Sequence, residues 1–287
     1  MDLIELKRTF AEIPLSQIHY FDRIGSTNSE AARLAEAGAS DLTLVVADGQ
    51  TAGRGRAGKS WSTLPGTALA FSLVLRVPAE DRAHYSQFAT RYTALSALAV
   101  CDALDQNYGL DAHIKWPNDV LVGGRKICGV LSEASWLGDR LQAVILGVGV
   151  NVLQDGVPHD DEVDYPATSV EQSLIDSRES KITGRNTIDR LVFLKEILSH
   201  IIGRRPQLLQ PEFIRTWEQR LAYRGGWVEI VTLGQDNVVR GQLVGLDLDG
   251  SLQLKDADRK IFKVSSGRVS LREVENQDDS TSVFSSS

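Results

Sequence analysis

The chain is short of nearly everything that would mark it as secreted, membrane-bound or built around a metal. Its two cysteines, Cys101 and Cys128, are far apart and sit in apolar surroundings, which fits buried thiols in a reducing compartment and offers no disulfide framework or metal-ligand spacing. No stretch reaches the roughly eighteen apolar residues of a membrane span. The N-terminal MDLIELKRTFAEIPL carries charges every few residues where a signal peptide needs an apolar core. Positive charge is also scarce: 31 Lys and Arg against 38 Asp and Glu leave a net charge of -7. Wholesale binding to nucleic acid or to an anionic membrane is therefore not expected, and a local basic cluster would imply a local anion. No internal repeat is visible. These absences predict a cytoplasmic protein, and 287 residues leave room for one large domain and a small one.

The pattern along the chain predicts alternating helices and strands. After an extended opening, Thr27 and Glu30 read as a capping box for a short helix ending at Gly38. LTLVVAD (42–48) has the continuous apolar character of a strand covered on both faces, and TALAFSLVLRV (67–77) reads as a second strand. Residues 84–107 form one long Ala/Leu-rich helix, and Gly123-Gly124 supplies the positive φ of a hairpin between DVLV and RKICGVLS. AVILGVGVNV (143–152) is a central strand, whereas 154–168 is polar and proline-containing, a mobile loop by composition. Helices are predicted around Leu191–Ile201 and from Pro211 to about Arg224. Beyond Gly225-Gly226, the runs WVEIVTL, NVVRGQLVGL, SLQL and KIFKV, with a turn at Asp249-Gly250, predict a small barrel. The tail ENQDDSTSVFSSS has too little apolar surface to order itself.

The segment GRGRAGKS (53–60) fits the G-x-x-x-x-G-K-S spelling of a nucleotide-binding P-loop. That loop works by leading into a helix whose N-terminal amides hold phosphate. Here WSTLPGTALAF follows, with Pro65 and Gly66 interrupting and a strand beyond, so the context fails. What remains is Arg54 and Arg56 between glycines, two planar forks suited to carboxylate or phosphate on a backbone that can approach a ligand closely. A solvated basic loop, or a non-catalytic nucleotide- or RNA-binding module, is the competing reading of these eight residues.

A second cluster decides between them. GQTAGRGRAGKSW (49–61), KWPND (115–119), KICGVLSE (126–133) and GVGVNV (147–152), in this order and with STN (26–28) upstream, resemble biotin protein ligases over residues of roughly 20 to 270. Lipoate and octanoate ligases share that fold but lack the GRGRxGxxW loop. The resemblance implies an α+β fold of class II synthetase-like type, a mixed and mostly antiparallel sheet packed on helices with an SH3-like C-terminal β-barrel. It divides the chain into a catalytic unit (1–224), a barrel (225–273) and a disordered tail (274–287).

The implied activity is formation of biotinyl-5'-AMP from biotin and ATP with Mg2+, then transfer of biotin to a lysine of a biotin carboxyl carrier protein such as that of acetyl-CoA carboxylase. By the resemblance, Lys115, Arg54 and Arg56 carry the chemistry between carboxylate and α-phosphate. Ser26, Thr27, Asn28, Gln50 and Gly55 join them around biotin. Gly58, Trp61, Asn118 and Asn151 join the two arginines around the nucleotide, with Asn118 and Asp119 also holding the lysine's strand and a metal-associated water. Metal ligands are not implied by any residue of the chain. No protein nucleophile is needed, which agrees with the absence of a Ser-His-Asp or Cys-His set. Because STN begins at residue 26, an N-terminal DNA-binding domain and operator binding are not expected. Family members occur as monomers and homodimers, and an exposed sheet edge could pair two chains.

Overall fold

The computed structural model describes residues 1–82, 85–157, 165–177, 188–232 and 238–271. Along the chain these form α1 (Leu3–Thr9), β1 (Gln17–Ile24), α2 (Thr27–Glu36), β2 (Thr43–Gln50), β3 (Ala68–Arg76), α3 (Tyr85–Tyr108), β4 (Ala112–Lys115), β5 (Asp119–Val122), β6 (Arg125–Leu137) and β7 (Arg140–Asn151). They continue with α4 (Val170–Asp176), α5 (Arg190–Arg204), α6 (Pro211–Gln219), β8 (Trp227–Val231), β9 (Val238–Leu246), β10 (Leu252–Lys255), β11 (Ile261–Val264) and β12 (Arg268–Leu271).

Seven strands make one mixed sheet in the order β1-β2-β3-β7-β6-β5-β4, antiparallel except for the β1–β2 pair. Because side chains alternate across a strand, Leu44, Val46, Leu69, Phe71, Leu73, Leu146, Val148 and Val150 fall on the face covered by α3 and α5. Val45, Val74, Ala143 and Ile145 fall on the opposite face, under Ala31 and Ala35 of α2. Both faces are covered at that end, which is why β2 and β3 read as continuous apolar runs. Helix α2 spans only part of its face. Beyond it the same face carries Ala70, Ser72, Gly147, Gly149 and Gly129, aligned across the strands, and these small residues leave the sheet open.

The C-terminal sheet runs β11-β10-β9-β8-β12, entirely antiparallel, and is the small β unit expected. It is bolted to the large one through the Asp249-Gly250 turn. Arg91, buried in α3, donates to the carbonyls of Leu208 at 2.9 Å, Gln210 at 3.3 Å and Leu248; Thr90 Oγ1 donates to Asp249 O at 2.8 Å, and Trp116 Nε1 to Gly250 O at 2.9 Å.

Several expectations need correction. The opening is not extended: Asp2 accepts from the amides of Ile4 and Glu5 at 2.8 Å and caps α1, which buries Leu6. No capping box starts α2. Ser26 holds the N-cap backbone position without a side-chain cap, Thr27 is already helical, and Glu30 pairs with Arg33. Helix α6 stops at Gln219, where the chain turns back to bridge Leu221 to Ile114 of β4. β12 is a fifth strand that the alternation did not announce. The predicted loop 154–168 lies partly outside the described residues, and its described ends are ordered by a short helical turn at Gln154–Gly156 and a bridge from Ala167 to Lys126. The predicted tail 274–287 lies wholly outside them.

Candidate functional site

The open part of the sheet is the floor of a cleft of about 560 Å3. Cross-strand pairing builds it as a row: Ala70 opposite Gly149, Gly149 opposite Gly129, Gly129 opposite Asp119, and Asp119 opposite Lys115. Directly paired residues share a face, so Lys115 rises from the same surface as the glycines. Those glycines make room for an indole. A Cβ on Gly149 would lie 2.3 Å from Trp61 Cε2, and one on Gly129 would lie 3.0 Å from its Cζ3. Trp61 thus lies flat on backbone, and its Nε1 is a buried donor without a partner.

The GRGRAGKS segment folds over this floor as a small closed hairpin. Trp61 N donates to Gly53 O at 2.9 Å and Gly55 N to Lys59 O at 2.7 Å, and the tip turns at Arg56–Gly58 with Ala57 at φ 55° and Gly58 at φ 75°. The residues that follow bridge back to β2 through Thr63 and Gln50 and then enter β3. No helix N-terminus follows the loop, so its backbone does not have the P-loop arrangement. Arg56 donates to Asn118 Oδ1 at 3.1 Å, and Arg54 to Glu133 Oε2 at 2.7 Å.

Lys115 is 5% exposed. Burial pushes its ammonium down to about 8, with Asp119 opposing the shift and Lys126, Arg268 and Lys59 adding to it. Its Nζ lies 3.6 Å from the centre of the Tyr165 ring, a cation–π contact that favours the charged form. Asp119 is shared, since Lys126 Nζ lies 2.7 Å from its carboxylate. A register shift between Val120 and Leu121 pairs Leu121 with Lys126, so Lys126 takes the cleft face while Ile127 is buried. Burial also lowers Arg56 and Lys59, the latter helped by Arg268 and Lys126. Among the described residues the cleft lining holds six basic ones, Arg54, Arg56, Lys59, Lys115, Lys126 and Arg268, against one acid, Asp119. Such a surface suits a ligand with more than one negative charge.

Twelve of the residues singled out from the sequence line this cleft: Ser26, Thr27, Gln50, Arg54, Gly55, Arg56, Gly58, Trp61, Lys115, Asn118, Asp119 and Asn151. Gln50 Oε1 accepts from Thr27 N at 2.9 Å, which fixes the wall where the STN segment enters α2. Asn151 lines the cleft with its Nδ2 held by Thr168 O at 3.0 Å. Asn28 lies behind the wall, buried and bonded to Leu131 O and Glu133. Lys126, Tyr165 and Arg268 were not anticipated. The first is directed by a bulge; Tyr165 comes from the segment read as a loop and Arg268 from the predicted barrel, to which no site role was given.

Residues 20–151 match the model of the biotin/lipoate A/B protein ligase family, and residues 229–272 that of the biotin protein ligase C-terminal domain. The Bacillus subtilis bifunctional ligase/repressor BirA is 32% identical over 265 residues, covering 91% of this chain and 75% of its own length. A Mycobacterium tuberculosis biotin--[acetyl-CoA-carboxylase] ligase is 32% identical over 261 residues, 88% of each chain. Among solved structures, the biotin protein ligase of Aquifex aeolicus in complex with biotin and ATP is 30% identical, with a TM-score of 0.70 over 91% of this chain and all of that one.

Proposed function

The chain belongs to the biotin protein ligase family, and from that premise we propose that it is an ATP-dependent biotin ligase whose cleft makes biotinyl-5'-AMP and passes the biotinyl group to a lysine of a biotin carboxyl carrier protein. The observation that carries the reading is Lys115, a buried ammonium in a cleft with two loop arginines overhead. In the first step a carboxylate oxygen of biotin attacks the α-phosphorus of ATP, a new P–O bond forms, and the bond to pyrophosphate breaks. Two anions must meet, and cations held between them in a largely desolvated site stabilise the charge that develops. Lys115 suits the position between carboxylate and α-phosphate, with Arg54 and Arg56 above and Arg56 on the phosphate. In the second step the acceptor amine attacks the carbonyl carbon and AMP leaves with its electron pair on phosphate oxygen, stabilised by the same groups. Thr27 and Gln50 offer hydroxyl and amide groups to the ureido ring, and Trp61 offers an indole face to the nucleotide.

Among the described residues no cluster of three or more His, Cys, Asp or Glu is arranged to hold a metal ion. The one acid among the described residues of the cleft, Asp119, is engaged by Lys126. This fits magnesium carried in by ATP, ligated by phosphates and water, where it neutralises phosphate charge. The supported division of labour is a catalytic unit over 1–224 and a C-terminal unit over 225–273 that lends Gly267 and Arg268 to the cleft. No helix among the described residues is long and apolar enough to cross a membrane, and a cytoplasmic location belongs to this reading. A homodimer formed by strand pairing would use β1, since the β4 edge is covered by bonds between Ile114 and residues 220–222.

Pyrophosphate release from ATP and magnesium, with and without biotin, on the wild type and Lys115→Ala tests the proposal. Release that requires biotin and is lost in the variant supports it. Turnover with lipoate and none with biotin moves the substrate to the sister branch of the fold; release with neither leaves only an anion site.

A further inference from the structure

Lys115 ends an edge strand of four residues that β5 holds on one side only. What fixes the strand from elsewhere comes from beyond α6. One residue before the lysine, Ile114 N donates to Arg220 O at 2.6 Å and Ile114 O accepts from Ala222 N at 2.9 Å. One residue after it, Trp116 is 3% exposed and donates from Nε1 to Gly250 O at 2.9 Å. Gly250 belongs to the turn between β9 and β10, which is closed on itself by Asp247 N to Ser251 O and Gly250 N to Asp247 O, both at 2.9 Å. The turn is wedged into the catalytic unit: Gly250 has φ 82°, and a Cβ there would lie 2.5 Å from Thr90 Oγ1 and 2.8 Å from Trp217 Cζ3. Its carbonyls at Leu248, Asp249 and Gly250 accept in succession from Arg91, Thr90 and Trp116. The first two donors stand on α3 and fix the turn, whereas the third stands beside Lys115 and is fixed by it.

We infer that Trp116 is a positioning residue: its bond to Gly250 makes the β9–β10 turn of the C-terminal unit the stop against which Lys115 is set in the cleft. This is a different task from lending Arg268, which stands on β12 and not on the turn. Taking the indole N–H away leaves the buried Gly250 carbonyl without that donor, a cost that the strand end and the turn relieve by moving apart. A charge-bearing group misplaced by about 1 Å can cost a reaction about a hundredfold, and with the bonds at Ile114 still in place the loss of one restraint is set at about tenfold. The inference rests on the proposed function only in taking Lys115 as the cation on which the chemical step depends.

The burst of pyrophosphate release at saturating biotin and ATP reads the chemical step. Trp116→Phe keeps an aromatic ring without the donor, and its burst rate should fall about tenfold, with half-saturating biotin and ATP within about twofold of wild type, because the lost effect is on charge that develops in the transition state. Thr90→Val loosens the same turn without touching Trp116 and should lower the rate about threefold in the same pattern, which keeps the test open if the tryptophan variant does not fold. Made in an Arg268→Gln background, Trp116→Phe should still cost about tenfold, since the two act separately. Competitive acetylation of the ligand-free protein with trace acetic anhydride, read at Lys115 by mass spectrometry with the exposed lysines as internal reference, follows the seat without turnover. Its midpoint, about 8 in wild type, should move up in Trp116→Phe with or without Arg268, as the loosened ammonium regains water while Asp119, Lys126, Lys59 and the Tyr165 ring around it are unaltered. An unchanged burst rate, a rise in half-saturating ATP alone, a loss that disappears in the Arg268→Gln background, or an unmoved acetylation midpoint overturns the inference. If wild type shows no burst that depends on biotin, the ligase reading fails, while the acetylation still decides whether Trp116 seats Lys115.

Discussion

Replacing Lys115 by methionine should abolish adenylation and at the same time make the ligand-free protein more stable. The ammonium is 5% exposed and its proton affinity falls from 10.5 to about 8, mainly because burial strips its hydration. That difference corresponds to about 3 kcal/mol against the charged form, and solvent screening at the cleft mouth leaves about 2 kcal/mol. Methionine keeps the unbranched shape without the charge, so at pH 7 the variant should melt about 4 °C higher. The pH dependence carries the sign. Below about pH 8 the lysine is protonated in both folded and unfolded chains, and the penalty is complete and constant. Between about 8 and 10.5 the folded protein releases the proton while the unfolded chain keeps it, so wild-type stability rises toward that of the variant. Thermal melts of both proteins at pH 7, 8.5 and 10 check this. A variant no more stable than wild type at pH 7, or a gap that stays constant to pH 10, would falsify the buried-charge reasoning.

The same depressed proton affinity sets the activity profile: kcat/KM for biotin in pyrophosphate release should fall as pH rises through about 8, because the free protein then loses the cation the reaction needs. A flat profile to pH 9.5 removes Lys115 from the charge-stabilising role. Tyr165→Leu takes the aromatic face from the ammonium and should move that falling limb to lower pH, whereas Tyr165→Phe should leave it in place; identical shifts in both variants would mean that the ring is not the cause. Gly149→Ala puts a methyl 2.3 Å from the Trp61 ring, which must leave the floor. About 1–3 kcal/mol of stability should go with it, together with nucleotide affinity, read by urea titration and equilibrium dialysis; an unchanged affinity would take Trp61 out of the nucleotide wall.

Wherever one short segment carries its own geometric reason, the site was legible. Gly147, Gly149 and Asn151 stand two apart on one strand and therefore on one face, and Lys115 ends β4 just before Pro117 and Asn118 turn the chain into β5, whose own hairpin to β6 is announced by Gly123-Gly124 at φ 55° and 74°. The resemblance supplied what spacing does not, the pairing of the arginine loop with that lysine across the sheet. What escaped depends on meetings between distant residues. Asn28 belongs to the STN segment that the resemblance sets beside biotin, yet its side chain goes to Glu133, 105 residues on, because Gly147 opens a hole behind the wall. Lys126 reaches the cleft only because a bulge reverses the alternation of its strand.

Whole-chain charge misleads at such a site for a physical reason. A net charge of -7 is a sum over a surface larger than the Debye length of about 8 Å at physiological ionic strength, so distant acids do little to the potential inside the cleft. There, among the described residues, six basic ones meet one acid, and burial together with their mutual repulsion lowers the proton affinity of Lys115 and Lys59. The ligand-free site thus holds charge that the fold alone disfavours. Negative ligand groups relieve that repulsion, and by the same linkage they must raise the proton affinity of Lys115. Binding of the adenylate at pH 8.5 should therefore take up protons, measurable by calorimetry in buffers of different ionisation enthalpy, and the uptake should vanish in Lys115→Met; uptake that persists in the variant would assign the proton to another group.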